Sequence, residues 1–345
     1  MQNKFIEKRK LLVTVKEIAK KAGVSIATVS LALNNKGNIK KETREQILKI
    51  ASEGGYNSRK RIDNKKNILL IKYMNSGISI EKNGDFVGKI IDSIEYNASE
   101  HGYNVNIKNI SASDWQEAIY SINQDDFSGV IFLSTEAEDE VAEYIKDMDI
   151  PVIAVDNLFE HVNINSIGID NMGGIYEAVK YAKQMGHKNI GYIHSSVNFD
   201  NINQRKESFQ KSMSLFHLNC KEEYMIEVMP TLDGAYEDML RILNQGKELP
   251  TLYVAANDTI AIGVIKALKE YQILVPRDIS VIGFDDIPFC TMMDSPLTTM
   301  KVNKKAMGEK AVKLLVQNIK LPERDNIKIL IRPKLIERES VKNLN

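Results

Sequence analysis

Residues 14–56 read TVKEIAKKAGVSIATVSLALNNKGNIKKETREQILKIASEGGY, and this stretch decides the fold of the N-terminal part. The T-x-x-E pattern at 14–17 is a capping box, in which each side chain bonds a backbone N–H at a helix start. Gly23 ends that helix as a turn residue, and Ser25 can cap a second helix that runs to about residue 35. A third helix is expected over 42–53. Two helices joined by a tight turn and followed by a third predict a helix-turn-helix head.

The spacing of apolar residues predicts which side of each helix is buried. The predicted core positions are Val15, Ile18, Ala19 and Ala22, then Val29, Ala32 and Leu33, then Ile47, Leu48 and Ala51.

The opposite side of the second helix is unusual for a surface. At about 100° per residue, five positions share an outer arc of about 140° that is small and mostly apolar. They are Ile26, Ala27, Ser30, Leu31 and Asn34. Either this arc is buried against another element, or it lies in a groove where small apolar groups fit base edges and thymine methyls.

The charge is distributed unevenly along the chain. Lys plus Arg total 46, as do Asp plus Glu, so the formal net charge is zero. Residues 1–66, however, contain 17 basic and 6 acidic residues, a net charge of +11, which leaves −11 for residues 67–345. Such an asymmetry indicates a polyanion-binding head on an acidic body.

The run A-G-V-S-x-x-T-V-S at 22–30, and the segment around it, resemble the DNA-binding head of the lactose-repressor (LacI/GalR) family. The resemblance implies that residues 25–34 form the recognition helix in the DNA major groove. It assigns base reading to Ile26, Ala27 and Leu31. It assigns phosphate contact or helix bracing to Thr14, Ser25, Thr28, Ser30 and Asn34.

The sequence departs from the family pattern at three places. Leu31 stands where the family often has Arg, so a bidentate contact to guanine is lost and the operator should differ there. Lys40 replaces a common capping Ser. The stretch NSRKRIDNKKN at 57–67 lacks the usual Pro and is about three residues short. In it, Ile62 is the one candidate for a minor-groove wedge, while Arg59 and Arg61 would bind phosphate or, alternatively, belong to a solvated linker.

From residue 67 onward, short apolar runs alternate with amphipathic segments, a pattern typical of parallel α/β sheets with right-handed crossovers. The candidate strands are 68–74, 103–110, 129–134, 151–155, 189–194, 225–229, 251–256 and 280–284. The helical segments are 86–100, 137–148, 173–186, 203–217, 235–245 and 259–271. About 280 residues exceed one such sheet, so two lobes are expected.

Motifs for catalysis are missing from the sequence. No GxxxxGK[ST], GxGxxG, HExxH or GxSxG occurs, the five His show no ligand spacing, and Cys220 and Cys290 lie 70 positions apart. The sequence contains no run of about 18 apolar residues, which is the length needed to span a membrane. We therefore expect no metal, no cofactor, no membrane association and no enzymatic activity, and the two cysteines suit a reducing cytoplasm.

Polar pairs directly follow three of the candidate strands, where open α/β sheets bind ligands. They are Asp156-Asn157, Asn257-Asp258 and Asp285-Asp286. Carboxylate and amide groups suit a polyol ligand, although each could instead cap the next helix. We expect Asp258 to be such a cap, and Asp156 and Asp285 to contact a ligand.

The body also resembles the periplasmic-binding-protein-like effector domain of the same family, through VIAVDN, NDTIAIGVIKALKE and VPRDISVIGFDDIPFCTMMDSPLTTM. The resemblance implies that Asp156, Arg205, Asn257 and Asp285 hold the effector, with Ser208 in place of a usual Gly beside Arg205. It also implies lobe crossings near 161–168, 297–303 and 327–331.

The expected fold is therefore α/β, with a small all-α helix-turn-helix head followed by a two-lobed effector domain with parallel sheets. We expect the head over 1–56 with a 13-residue basic extension, a basic hinge over 57–66, and an effector-binding and dimerisation domain over 67–340. Lobe one would contain about 67–165 and 300–328, and lobe two 166–299 and 329–340.

The expected function is that of a cytoplasmic homodimeric transcriptional regulator, and we expect it to be a repressor. Two heads would bind a pseudo-palindromic double-stranded operator, and a small molecule, expected to be a sugar, would bind between the lobes and modulate operator affinity. The alternative is a cytoplasmic sugar- or purine-binding protein, or a sugar-converting enzyme that uses Asp156 and Asp285 as acid and base.

Overall fold

The structure is a computed structural model that describes residues 15–33, 39–53, 66–77, 84–219, 221–321 and 325–345. The chain divides into two compact units, Met1–Lys65 and Lys66–Asn345, which we call the head and the effector domain. Each is described by itself below.

The described part of the head contains three helices around one small apolar core. They are α1 (Val15–Ala22), α2 (Ile26–Leu33) and α3 (Lys41–Glu53). The core consists of Ile18, Ala19, Val29, Ala32, Ile47 and Ala51, with Val15, Ala22, Leu33 and Ile50 packed against it.

One predicted core residue of the head is wrong. Leu48 is 44% exposed, whereas Ile50 packs against the core. On a helix, Ile50 lies about 60° to one side of Ile47 and Ala51 about 40° to the other, while Leu48 lies about 100° away. The buried stripe of α3 is therefore centred on Ile47, and Leu48 lies outside it.

The turn between α1 and α2 depends on Gly23. Its φ is +67°, and a Cβ added there would meet no atom within 4 Å, so backbone conformation rather than space requires glycine. The Val24 N–H donates to the Ala19 carbonyl at 3.1 Å and closes the turn. This tight turn fixes the direction in which α2 leaves α1.

The effector domain contains two six-stranded sheets with helices packed on them. Its first half is β1 (Asn67–Met74), α4 (Gly84–Glu100), β2 (Asn104–Ser111), α5 (Trp115–Tyr120), β3 (Gly129–Leu133), α6 (Asp139–Ile145), β4 (Val152–Val155) and β5 (Asn165–Ile169). Next come α7 (Asn171–Gln184), β6 (Ile190–Ser195), α8 (Asp200–Leu215), β7 (Met225–Val228), α9 (Leu232–Asn244), β8 (Leu252–Ala255), α10 (Asp258–Glu270) and β9 (Ser280–Asp285). The last elements are β10 (Thr298–Lys301), α11 (Lys304–Lys320), β11 (Lys328–Ile331) and β12 (Lys334–Ile336).

The sheet topology confirms the expected two lobes with parallel sheets. Sheet one has the strand order β11-β5-β4-β3-β1-β2 and sheet two the order β12-β10-β9-β8-β6-β7. Among the strands of the described residues, every pairing is parallel except that of β12 with β10. Strands β3, β4, β6, β8 and β9 are buried along their whole length, which explains their uninterrupted apolar sequences.

The chain crosses between the lobes three times. The crossings lie between β5 and α7, between β10 and α11, and between β11 and β12. The first and third lie a few residues beyond the expected ranges, because β5 and β11 pair with each other at the edge of sheet one, with Lys328 opposite Ser166. Residues 166–169 and 329–331 thus belong to lobe one rather than to lobe two.

Candidate DNA-binding face and effector site

The start of helix α2 is fixed by its own side chains. The Ser25 Oγ accepts a hydrogen bond from the Thr28 backbone N–H at 3.0 Å and lies 2.8 Å from the Thr28 Oγ1. Ser25 therefore caps the helix, and Thr28 is half-buried beside it. Both side chains thus help to fix the start of α2, and their expected part in DNA binding remains a prediction.

The outer face of α2 is not covered within the described part of the head. Ile26 is 52% exposed and Leu31 is 41% exposed, and Ala27 is exposed as well. Ser30 on the same side is half-buried. Of the two interpretations left open by the sequence, burial of this face inside the head is thus excluded for the residues described. Thr14, Asn34, Arg59, Arg61 and Ile62, the other expected DNA contacts, lie outside the described residues.

The strand-end site of the effector domain is centred on Asp156, directly after β4. Its side chain is buried and its φ is +70°, a strained conformation for a residue other than glycine. The Thr135 hydroxyl donates to its carboxylate at 2.7 Å, and the Asn201 amide donates to its carbonyl oxygen at 2.8 Å. Burial raises the pKa of Asp156 to about 7, although the Thr135 hydrogen bond and the Arg205 charge both act to lower it.

Arg205, on α8, is held by three acceptors. Its Nε donates to the Asn171 side chain at 2.8 Å, one Nη donates to the Ala256 carbonyl at 2.8 Å, and the other lies 3.4 Å from the Asp285 carboxylate. The guanidinium also stacks over the Phe284 ring at 3.8 Å. Both charged side chains of the pair are almost fully buried. Planar stacking with several donors is the geometry that favours Arg over Lys.

A chain of hydrogen bonds joins these groups across the lobe boundary. The Asn171 amide donates to the Asn201 side chain at 2.8 Å, and Asn201 in turn bonds Asp156 of lobe one. Since Arg205 donates to Asn171, the chain runs from Asp156 to Asp285. Sequence reasoning missed Asn201 and Asn171, although Asn201 lies one helical turn before Arg205 and periodicity could have found it.

Helix α10 is capped by Asn257 rather than by Asp258, and the effector contact expected of Asn257 remains a prediction. The Asn257 side chain accepts from the Ile260 N–H at 2.9 Å and caps α10, the role expected of Asp258. Asp258 is instead fully buried inside the first turn, where it accepts from Thr299 at 2.5 Å and from the Ile287 N–H at 3.0 Å. Burial raises the pKa of Asp258 to about 7, and the nearby charge of Asp285 contributes in the same direction.

Two further residues of the site were not found from the sequence. The Glu136 carboxylate accepts backbone N–H groups of Asn75, Ser76 and Gly77 at 2.7–3.0 Å and so fixes the loop that follows β1. Glu136 follows β3, so the strand-end rule could have found it. Lys304, at the start of α11 in lobe one, donates to the carbonyl oxygens of Asp285 and Asp286 in lobe two, and nothing in its sequence context signals this contact.

A polar cavity of about 360 Å³ lies at the carboxyl ends of β1, β3, β4 and β6. Thr135 lines it, and thereby connects it to Asp156. The cavity is rich in amide and carboxylate groups; its lining includes Asn75, Asn157, Asn198, Asn203, Glu138, Asp139, Glu160 and Asp200. Burial raises the pKa of Asp200, and the charges of Glu160 and Asp139 add to that effect. Such a lining suits a ligand that is rich in hydroxyl groups and carries no negative charge.

Within the described residues, no group of His, Cys, Asp and Glu has the arrangement of a metal site. Over the same ranges, no helix is long and apolar enough to cross a membrane.

Comparison with known proteins decides the family. Residues 14–58 match the model of the bacterial regulatory proteins of the lacI family, and residues 179–341 match a periplasmic binding protein-like domain. The chain is 30% identical over 338 residues to the "Probable HTH-type transcriptional repressor ExuR" of Bacillus subtilis, covering 96% of this chain and 99% of that protein. This chain belongs to the LacI family.

Other LacI-family relatives and solved structures agree. The HTH-type transcriptional repressor PurR of Haemophilus influenzae (strain PittEE) is 29% identical and covers 96% of this chain and 100% of its own length. The fold is similar to that of the lac repressor dimer bound to operator and the anti-inducer ONPF, with a TM-score of 0.71, 23% identity and coverage of 96% and 100%. A complex of the regulator CelR with cellobiose gives a TM-score of 0.71, 20% identity and coverage of 95% and 99%.

This LacI-family protein is accordingly a DNA-binding transcriptional regulator with a small-molecule effector domain, and its relatives are repressors rather than enzymes. The resemblance inferred from the sequence is confirmed. The individual DNA and effector contacts remain predictions.

Proposed function

We propose that this protein is a cytoplasmic homodimeric repressor whose operator affinity is set by an uncharged sugar bound between the two lobes. The exposed face of α2, with Ile26, Ala27 and Leu31, reads base edges in the major groove of each half-site. A homodimer presents two such helices, which matches a pseudo-palindromic operator.

The observation that carries the proposal is the hydrogen bond between Asn201 of lobe two and Asp156 of lobe one, beside the polar cavity. A ligand hydroxyl that inserts there competes for the same donor and acceptor. The ligand therefore binds differently to lobe arrangements in which Asn201 and Asp156 are near or apart, which is the condition for shifting an equilibrium.

The acidic lining restricts the chemistry of the ligand. Glu138, Asp139, Glu160 and Asp200 face the cavity together, so a sugar acid would be repelled and a neutral sugar would find many acceptors. The structural neighbour that contains cellobiose supports a neutral sugar as the starting point for screening.

The test is a panel of neutral sugars and sugar acids, added to the full-length protein in thermal-shift and operator-anisotropy measurements. We expect a neutral sugar to raise the melting temperature and to change operator affinity by about 5–150-fold, the usual range of allosteric coupling. Asn201→Ala should lose this response.

Asn244→Ala, which changes an exposed asparagine at the end of α9, serves as the matched control and should keep the response. An equal sugar response in Asn201→Ala and wild type would contradict the site. Failure of the intact protein to protect any operator, with or without sugars, would contradict the function.

A further inference from the structure

A second cavity of the effector domain, of about 460 Å³, lies at the crossing between β10 and α11. Lobe one lines it through α4 and the first turn of α11, and lobe two through Lys301 and Asp286. It shares no lining residue with the polar cavity at the strand ends. Its size falls within the usual range for small-molecule sites.

The charge of this cavity is opposite to that of the first. Its lining contains Lys89, Lys301, Lys304 and Lys305 but only two carboxylates, Asp92 and Asp286. Asp286 is already neutralised, since it accepts from Arg338 at 2.6 Å and lies 3.3 Å from the Lys301 Nζ. Among the described residues, neither Lys89 nor Lys305 lies within ion-pair distance of a carboxylate, and Glu309, the carboxylate on which the Lys305 charge acts, already forms an ion pair with Lys313.

The first turn of α11 makes the excess of positive charge more costly. It begins with Lys304 and Lys305 and contains no acidic residue. The N-terminus of a helix is its positive end, where cations are unfavourable and anions favourable. Burial lowers the pKa of Lys304; the charges of Asp285 and Asp258 act in the opposite direction, and that of Lys89 lowers it further. A bound anion would offset all of these unfavourable interactions.

We propose that this cavity is a second effector site, for a small phosphate-bearing metabolite such as a phosphorylated sugar. Lys89 and Lys305 bind the phosphate from lobe one and Lys301 binds it from lobe two. Because its ligands come from both lobes, the site holds an anion with an affinity that depends on the angle between them. An anion here therefore changes operator affinity independently of the sugar bound in the first cavity.

The test is calorimetric titration of the full-length protein with glucose 6-phosphate, inorganic phosphate and glucose. We expect glucose 6-phosphate to bind at this site and to weaken by about tenfold in each of Lys89→Ala and Lys305→Ala, the loss expected for one charge-assisted contact. Lys310→Ala removes the same charge from an exposed position on α11 outside the cavity and should bind as wild type does. Circular dichroism of each variant checks its fold.

The two phosphate probes distinguish the source of the anion. Equal affinities, lost together in the lysine variants, assign inorganic phosphate as the ligand, whereas tighter binding of glucose 6-phosphate assigns a phosphorylated sugar. No binding of either probe at millimolar concentration, or unchanged binding in the Lys89→Ala/Lys305→Ala double variant, would overturn the proposal. Bound anion that leaves operator affinity unchanged would overturn its regulatory role.

This measurement is separate from the proposed sugar site. Asn201→Ala alters the first cavity and leaves the lysines in place, so it should bind glucose 6-phosphate as wild type does. If no sugar binds at the strand ends, the titration with phosphate compounds still gives its own result.

Discussion

Helix α2 of the head exposes Ile26 and Leu31, whereas the strand ends of the effector domain bury Asp156, Arg205 and Asp285. Burying charge costs stability unless the charge is paired, whereas an exposed apolar side chain is common on protein surfaces and only forgoes the gain of burial. Folding alone favours neither. Under the proposed function, the exposed apolar face of α2 meets DNA and the buried charges meet a small molecule, so the comparison teaches that the two kinds of partner call for opposite arrangements of side chains.

The largest effect is expected from breaking the buried pair. In Arg205→Ala, the Asp285 carboxylate loses its guanidinium partner in a buried site, which should cost about 3–5 kcal/mol of unfolding free energy. Denaturant unfolding of the effector domain measures it. Arg241→Ala, which removes an exposed ion pair with Asp238, should cost at most about 1 kcal/mol. Similar losses of unfolding free energy in Arg205→Ala and Arg241→Ala would contradict the prediction that the buried ion pair matters more than the exposed one.

The raised pKa of Asp156 predicts a pH dependence of stability. Because its pKa rises from 3.8 to about 7 on folding, the folded protein binds the proton more tightly, and stability falls as pH increases between these values. Asp156→Asn should remove about 1.4 kcal/mol per pH unit from the slope measured between pH 5 and 7.

Thr135→Val is the companion variant for this prediction. It removes a hydrogen bond that lowers the pKa of Asp156, so the decline in stability should continue to higher pH than in wild type. The same pH slope in wild type and in Asp156→Asn would contradict the assignment.

In the head, the matched substitutions are Leu31→Ala and Leu48→Ala, which shorten leucines of similar exposure, 41% and 44%, on α2 and α3. We expect Leu31→Ala to weaken operator binding by about tenfold through lost apolar contact, and Leu48→Ala to leave it unchanged. Fluorescence anisotropy with operator DNA measures both. Leu31→Arg should alter the preferred base at one position of each half-site. An unchanged base preference in a binding selection from randomised DNA would contradict base reading by residue 31.

The smallest effects are expected from two glycines that have open space around a new Cβ, Gly23 in the head and Gly88 in α4. Gly23→Ala should destabilise the head by about 1 kcal/mol because its φ is +67°. Gly88→Ala should stabilise the effector domain by about 0.5–1 kcal/mol because Ala is the better helix former. Hydrogen exchange of backbone amides in each unit measures the two changes in stability, which should have opposite signs.

Most of the fold could be predicted because its local signals are strong. The capping pattern, the turn glycine and the long apolar strands each depend on neighbouring residues. Strands β5, β10, β11 and β12 were missed because they are short, three to five residues each, and because β5 and β11 pair with each other from distant parts of the sequence, with Lys328 opposite Ser166. Helix α11 was not singled out either, and its partner α4 lies more than 200 residues earlier.

The candidate site shows the same limit. Asp156 and Asp285 were predicted because strand ends are a topological rule, and Arg205 because its motif is local. Lys304 could not be predicted, since its contact with the Asp285 carbonyl depends on how two lobes meet. The capping of α10 by Asn257 instead of Asp258 goes with the contacts that Thr299 and Ile287 make to Asp258 from other elements.

The three crossings also determine the order in which the protein can be completed during its synthesis. Sheet one has most of its strands by Ile169, yet it lacks β11 and the helix α11 that packs on it until residues 304–331 have emerged from the ribosome. At about 5–20 residues per second, the unfinished lobe waits on the order of ten seconds or more with apolar surface uncovered. By then the strands of lobe two up to β10 have been synthesised, so the two lobes are completed almost together. Dependence on chaperones should therefore be strongest while the chain is still being synthesised.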